Sequence, residues 1–263
     1  HLQLALIRHC EKLKDRVGIL DTKLNDLQPG VPLSQVITHR RQFQSKFAAL
    51  YYPWILVADR DQSASEGDLR AVPPCGHVAG IFARVDQRVG VHKPPANEEV
   101  RGAHDVSIWV DERKHGDLND QNINVIRSTS GRGIRLAGAR TLSTDPLWYY
   151  INVRRLLIMI AEAIEEQTQW TVFEPNNPDQ WHEIDRVVRR FFDDLWQRGA
   201  LDGVTAEEAY FVKCDESTNP PDRTNLGIMT CLAGMQPPWP AEFVVVRIGK
   251  TESGTEISEI AEV

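Results

Sequence analysis

Residues 124–143 read NVIRSTSGRGIRLAGARTLS and combine three glycines with four arginines. The glycines are Gly131, Gly133 and Gly138, and the arginines are Arg127, Arg132, Arg135 and Arg140. A glycine-rich segment of this kind either cradles a phosphate with its main-chain N–H groups or forms the turn of a β-hairpin. The first alternative indicates an enzyme, and the second indicates a structural protein.

The spacing of the glycines favours the hairpin. A dinucleotide-binding fingerprint requires G-x-G-x-x-G between a strand and a helix, and Leu136 replaces its third glycine. Residues 122–127 and 134–142 both alternate apolar and polar side chains, which is typical of strands. The Gly-Lys-Ser/Thr of a Walker loop does not occur there. We therefore predict strand, turn and strand, with the arginines pointing alternately toward solvent or a partner.

Length, composition and charge restrict the classes of protein to which the chain can belong. The chain has 263 residues, enough for one large domain or two smaller ones, with 41% apolar and 25% charged residues. A net charge of −7 argues against a general basic surface for nucleic acid. No apolar run approaches the ~20 residues that span a bilayer. Because the sequence begins without Met inside a helical pattern, we expect an amino-terminal part to be missing.

The first half of the chain, residues 1–120, predicts a mixed α/β domain. Its predicted elements are helices over Leu2–Leu13, from Leu33 and after Pro73-Pro74, and strands over Arg16–Asp21, Phe47–Asp59 and Val106–Val110. Pro53 lies inside the long apolar run, so we expect a sheet edge or a bulge there.

In the second half of the chain, residues 121–250, the pattern predicts the hairpin, two long helices and three further strands. One helix begins near Ser143–Pro146, and the other begins with Asn177 as the cap and Pro178 in the first turn. The predicted core stripe of the second helix is Trp181, Ile184, Val188, Phe191 and Leu195, and Gly199 is the predicted left-handed residue after its end. The predicted strands are Glu208–Asp215, Leu226–Met235 and Ala241–Lys250.

Candidate catalytic residues are few. His9 adjoins Cys10, and Cys75 lies two residues from His77, but no nucleophile elbow or other orienting context accompanies either pair. The four cysteines form no C-x-x-C pair, which disfavours a zinc site and fits buried thiols in a reducing compartment. We therefore assign no catalytic, cofactor-binding or metal-ligating residue.

Three arginines on the second long helix form a candidate contact surface. Arg186, Arg189 and Arg190 fall on one side of that helix. They either pair with carboxylates of the same helix or form a basic ridge that docks onto an acidic partner. The carboxylates available for such pairing are Glu183, Asp185, Asp193 and Asp194.

The carboxyl-terminal segment is the second candidate contact. Residues 242–250, EFVVVRIGK, are almost entirely β-branched or aromatic, whereas the acidic extension after Gly249 has little to bury. Such a chain end either remains disordered or adds a strand to a neighbouring subunit. The residues predicted to take part in that exchange are Phe243, Val244, Val245, Val246, Arg247, Ile248, Ile257 and Ile260.

Several long segments resemble the tail sheath proteins of contractile phages and of phage-like contractile injection systems, such as R-type pyocins and antifeeding-prophage-like particles. The segments cover residues 9–21, 72–103, 123–157, 168–181 and 209–221. The one departure is Cys75, where the family leads us to expect a small residue such as Ser. The resemblance implies an α/β (α+β) fold of two domains and an arm: a middle domain called subtilisin-like (1–120, truncated at its amino end), a carboxy-terminal domain with a mixed sheet and two long helices (121–250), and an arm (251–263).

The same resemblance implies a structural role without catalysis. Sheath subunits stack as hexameric rings into a helical sleeve around an inner tube, exchange strands with neighbours, and contract to drive the tube through a target envelope. The implied partners are other copies, the inner tube protein, and baseplate and tail terminator proteins, with no cofactor, no direct nucleic acid and no membrane insertion. Assembly is expected in the cytoplasm, in a phage tail (virion) or phage-like particle, and the arginines at 186, 189 and 190 would face the tube. A thiol or serine hydrolase, and a terminator or baseplate protein of related fold, are the alternatives.

Overall fold

The computed structural model describes residues 2–23, 31–59 and 67–238, together with the backbone of two further strands at residues 244–251 and 254–260. The chain divides into two units, His1–Arg155 and Leu156–Val263. This division differs from the predicted boundary after residue 120, because the predicted hairpin at residues 123–137 belongs to the main sheet of the first unit. The mixed helices and sheets agree with the predicted α/β (α+β) class.

The first unit contains four helices and eight strands among its described residues. The helices are α1 Leu2–Leu13, α2 Leu33–Arg40, α3 Cys75–Arg88 and α4 Glu112–Asp120. The strands are β1 Gly18–Asp21, β2 Ala48–Tyr52, β3 Ile55–Ala58, β4 Leu69–Val72, β5 Glu98–Glu99, β6 Asp105–Val106, β7 Ile123–Thr129 and β8 Gly133–Ala137. One sheet has the order β1-β2-β7-β8-β5, in which β1, β2 and β7 are parallel, and a smaller sheet has the order β4-β3-β6.

Strand β2 forms the centre of this unit because both of its faces are buried. Ala48, Leu50 and Tyr52 belong to a core with residues of α1, α2 and α4. Ala49 and Tyr51 belong to a second core with residues of α3. A strand covered on both faces needs a continuous apolar sequence, which β2 has. The unit is therefore a three-layer arrangement of helices, sheet and helix.

Pro53 separates two strands that the sequence pattern predicts as one. The predicted strand Phe47–Asp59 is β2 and β3, which pair in different sheets, with a cis Tyr52-Pro53 bond between them. Proline offers no N–H to a ladder, so the chain leaves the first sheet at this residue. The expected edge or bulge at Pro53 was wrong. The predicted strand Val106–Val110 is likewise shorter and is reduced to β6, Asp105–Val106.

The side chain of Asn124 joins β7 to its surroundings. Its amide nitrogen donates to the carbonyl oxygens of Leu50 and Arg140, at 3.2 and 2.8 Å, and its oxygen accepts from the Arg140 N–H at 2.7 Å. Asn124 is buried, so these bonds pair main-chain groups that water does not reach. The polar side of the predicted alternation in this strand is thus internal rather than solvated.

The second unit contains the two long helices and an antiparallel sheet. Its helices are α5 Ile151–Thr168, whose first residues belong to the first unit, α6 Pro178–Gln197, α7 Ala206–Ala209 and α8 Pro221–Thr224. Its strands are β9 Tyr210–Lys213, β10 Met229–Met235, β11 Val244–Thr251 and β12 Gly254–Ile260, in the order β12-β11-β10-β9.

The ends of α6 confirm the local sequence signals. The Asn177 side chain accepts from the Gln180 N–H at 3.0 Å, Pro178 is the first helical residue, and Gly199 has a φ of 72°. Helix α5 begins later than predicted, because residues Pro146–Trp148 form a short 3-10 helix that the Asp145 side chain caps. The capping residues therefore predict the start of α6 correctly. At α5 the capped segment is a separate 3-10 helix, so α5 itself begins later.

One position of the predicted α6 stripe is wrong. Phe192 is fully buried and its ring stacks on that of Tyr210, with centroids 5.4 Å apart, whereas Phe191 is half-buried. Trp181, Ile184, Val188 and Leu195 are buried as predicted. The two phenylalanines are adjacent in sequence, so periodicity alone could not choose between them.

Phe192→Ala should destabilise the chain far more than Phe191→Ala. Removing a fully buried phenylalanine ring leaves a cavity and costs about 3–5 kcal/mol of unfolding free energy. The half-buried neighbour should cost less than about half of that amount. Urea unfolding followed by tryptophan fluorescence gives both values. Equal losses, or a larger loss for Phe191→Ala, would contradict the observed packing of α6.

Candidate assembly interfaces

The glycine-rich segment is a hairpin, as predicted. Thr129 pairs with Gly133 at the turn, and Gly131 and Gly133 have φ values of 69° and 72°, in the left-handed region that glycine adopts without strain. An antiparallel strand follows the glycines, so no helix N-terminus is offered to a phosphate. The arginines therefore belong to the surface of a sheet.

Strand β10 holds the carboxyl-terminal strands. It pairs with β9 on one side and with β11 on the other, in a register that places Leu232 opposite Lys213 and opposite Arg247. Seven residue pairs of β10 and β11 are in register. Main-chain hydrogen bonds therefore connect the end of the chain to the sheet that α6 covers.

The residues predicted for strand exchange lie in β11 and β12, with one exception. Val244, Val245, Val246, Arg247 and Ile248 belong to β11, and Ile257 and Ile260 belong to β12. Phe243 lies outside the described residues. The strands pair here with β10 of the same chain, so exchange between copies stays a prediction. The acidic extension, for which the sequence left a disordered tail and an added strand as alternatives, contains β12, which completes a hairpin with β11.

The three arginines of the predicted ridge have different surroundings. Arg186 donates to the Glu183 carboxylate at 2.5–2.6 Å. Arg189 donates to Asp185 at 3.0 and 3.2 Å and to the Val212 carbonyl oxygen at 2.7 Å. Intrahelical pairing therefore holds for these two.

Arg190 is exposed, and within the described part of the chain it forms no ion pair. It is therefore the residue of the ridge whose charge is available to a partner. The link from Arg189 to β9 is a tertiary contact that helical spacing does not encode, so the sequence does not predict it.

The two candidate cysteines lack the low pKa of a nucleophilic thiol. The Cys75 N–H donates to an Asp21 carboxylate oxygen at 2.9 Å. Burial, together with this carboxylate, raises the pKa of the Cys75 thiol to about 11. Burial also raises the pKa of Cys10. A thiol nucleophile requires the opposite shift, so both groups are protonated near neutral pH.

Neither a metal-binding cluster nor a membrane-spanning helix occurs among the described residues, 2–23, 31–59 and 67–238. Among them, no group of three or more His, Cys, Asp and Glu side chains is placed to hold a metal ion. In the same ranges, no helix has the length and apolar character that crossing a membrane requires.

A sheet completed by carboxyl-terminal strands and an exposed charge such as that of Arg190 are features that suit assembly with other copies. Comparison with known families identifies the class of protein. The family model of the phage tail sheath protein central domain matches residues 1–142, and that of the phage tail sheath C-terminal domain matches residues 143–250. The chain belongs to the phage tail sheath family. The two family domains meet at residue 142, near the observed division after Arg155 and away from the predicted boundary at 120.

Individual relatives are consistent with this assignment. The tail sheath protein of Salmonella phage ViI is 28% identical, over 98% of this chain and 41% of that protein. A chain of the anti-feeding prophage baseplate has a TM-score of 0.76 at 34% identity, over 90% of this chain and 61% of its own. A chain of the contracted PVC sheath, an extracellular contractile injection system, has a TM-score of 0.75 at 30% identity, over 84% and 60%. The chain therefore spans less than two thirds of each of these relatives.

The Cys75 thiol should react slowly with iodoacetamide in the folded protein. Because the thiolate is the reactive form, the rate should rise about tenfold per pH unit between about pH 8 and pH 10 without levelling off. Mass spectrometry of the Cys75 peptide at each pH gives the rate, and the urea-unfolded protein is the control, with an ordinary pKa of about 8.5. A rate that levels off by about pH 8 would indicate an activated thiol and revive the hydrolase alternative.

Proposed function

We propose that this protein is a structural subunit of a contractile tail sheath, which polymerises around an inner tube and contracts to drive the tube through a target envelope. The observation that carries the proposal is the continuous match of two sheath domain models to residues 1–250. Similarity to chains from the contracted PVC sheath and from the anti-feeding prophage sheath in its contracted state supports it.

Strand exchange is the proposed means of assembly. A strand that augments a sheet makes the same main-chain hydrogen bonds whether it comes from its own chain or from another copy. The register of β10 with β11 therefore suits a strand supplied by a neighbouring subunit equally well. Exchange that passes from each copy to the next gives heterologous contacts, and such contacts build rings and helical sleeves.

We infer that contraction needs neither catalysis nor a cofactor. The protonated thiol of Cys75 disfavours covalent chemistry in the first unit. A sleeve assembled in a metastable state stores the required free energy in its subunit contacts and releases it when the subunits repack. The remaining proposed partners are the inner tube, baseplate and tail terminator proteins. Assembly is proposed in the cytoplasm, as part of a phage tail or a phage-like particle.

A terminator or baseplate protein of related fold is the second candidate. The observation that favours it is the anti-feeding prophage baseplate chain, whose TM-score of 0.76 is level with the 0.75 of the PVC sheath chain. Such a protein would form single rings, whereas a sheath subunit forms long sleeves. Electron microscopy separates the two outcomes.

The full-length protein, on overexpression, should form sleeves or stacked rings in negative-stain images. Deleting residues 244–263 should abolish them, since both strands that would join copies, β11 and β12, would be lost. A full-length protein with Cys75→Ser is the matched control and should assemble normally. Persistent sleeves after the deletion would contradict strand exchange, and a protein that stays monomeric would contradict the sheath proposal itself.

Arg190 is proposed to contact the inner tube. Arg190→Glu should weaken co-sedimentation with inner tubes about fivefold, which corresponds to one exposed ion pair. Lys213→Glu changes an exposed cation of the same unit outside the ridge and serves as the control. Equal binding by both variants and the unmodified protein would remove the ridge from the tube interface.

A further inference from the structure

The arginines of the β7–β8 hairpin lie around one cavity. Arg127 and Arg135 are register partners across the two strands, and Arg132 lies beside them in the turn. All three line a cavity of about 330 Å³, which Asn97 and His115 also border. Like charges placed directly opposite each other in a sheet are destabilising. The repulsion between Arg127 and Arg135 therefore destabilises the hairpin, and an anion bound in the cavity would reduce it.

The positive charge of the cavity is only partly balanced. Arg127 donates to the Glu112 carboxylate at 2.6 Å, and the side chain of Glu112 is 80% exposed. Arg135 donates to the Asn97 carbonyl oxygen at 2.6 Å, and Arg132 donates to the Asn97 side-chain oxygen at 3.2 Å. Among the described residues, neither Arg132 nor Arg135 forms an ion pair with a carboxylate. Their remaining N–H groups can bind a carboxylate in a bidentate manner.

The same chain carries a surface of opposite charge. From Leu156 to its end at Thr168, helix α5 has three carboxylates and no Lys or Arg. Glu162, Glu165 and Glu166 are exposed, and their spacing places them on one face of α5. Within the described ranges none of the three forms an ion pair.

Their position on the helix is also unfavourable. Helix α5 ends at Thr168 and has no basic residue in its last turn. Carboxylates near a helix C-terminus are repelled by the helix dipole and by each other. We call these three residues the acidic end of α5. Its negative charge is complementary to the positive charge of the arginine cavity. A contact between the two surfaces would reduce the repulsion within each of them.

We propose that the acidic end of α5 of one copy occupies the arginine cavity of a second copy. This contact rests on the proposed function, because it is formed within the assembled sheath. A patch that pairs with a different patch of the next copy is heterologous, so it repeats from subunit to subunit without closing on a dimer. It is independent of strand exchange, since it uses side-chain charge instead of main-chain hydrogen bonds.

A charge swap tests the contact. Arg132→Glu and the pair Glu165→Arg with Glu166→Arg should each raise the protein concentration at which sleeves sediment, by about tenfold at low salt. Combining the changes should restore assembly to within about threefold of the unmodified protein. Arg113→Glu and Glu207→Arg reverse exposed charges elsewhere and should leave that concentration unchanged.

A conservative substitution covers the case in which a charge reversal prevents folding. Arg132→Lys retains the charge and supplies an amine, so a zero-length carbodiimide should join position 132 of one copy to Glu162, Glu165 or Glu166 of another within sleeves. Peptide mapping identifies the bond. Sleeves that form normally without this crosslink, or that tolerate both single reversals, would overturn the contact and leave the sheath assignment intact. Failure of the unmodified protein to form any sleeve would overturn both.

Discussion

The hydrogen bonding along β10 is the constraint on which the second unit depends. This strand lies between β9 and β11, and both of its edges are satisfied by main-chain partners. Phe192 stacks on Tyr210 of β9, and Arg189 donates to the Val212 carbonyl oxygen, so α6 fixes the position of β9. Strands β11 and β12 extend the sheet on the side of β10 that lies opposite β9. Under the proposed strand exchange, these two strands would change partners while α6 and β9 stay together.

The sequence predicted what local chemistry determines. Asn177 and Pro178 started α6 where expected, and the glycines at 131 and 133 formed a turn. The predictions from sequence failed where contacts between distant segments determine the structure. The parallel pairing of β2 with β7 moved the hairpin into the first unit, which no periodicity reveals. The same holds for the candidate arginines. Arg189 donates to the Val212 carbonyl oxygen of β9, and this bond depends on how α6 packs on the sheet.

Two kinds of contact with different physics are combined in the proposed assembly. Exchanged strands give many main-chain hydrogen bonds, which are insensitive to salt and slow to break. The arginine cavity and the acidic end of α5 give a charged contact, which is screened by salt and separates more readily. A sheath must hold its subunits together through contraction and still let them rotate. Persistent strand pairing with replaceable charge contacts meets both requirements.

The most direct test asks whether β11 pairs with β10 of another copy. One copy carries Leu232→Cys and another carries Arg247→Cys, at positions that are opposite each other in the β10–β11 register. After co-assembly and mild oxidation, the account predicts a disulfide between the two copies in the sleeves, identified by peptide mapping. A disulfide that forms only when both cysteines are in the same chain, with none between singly substituted copies, would contradict it.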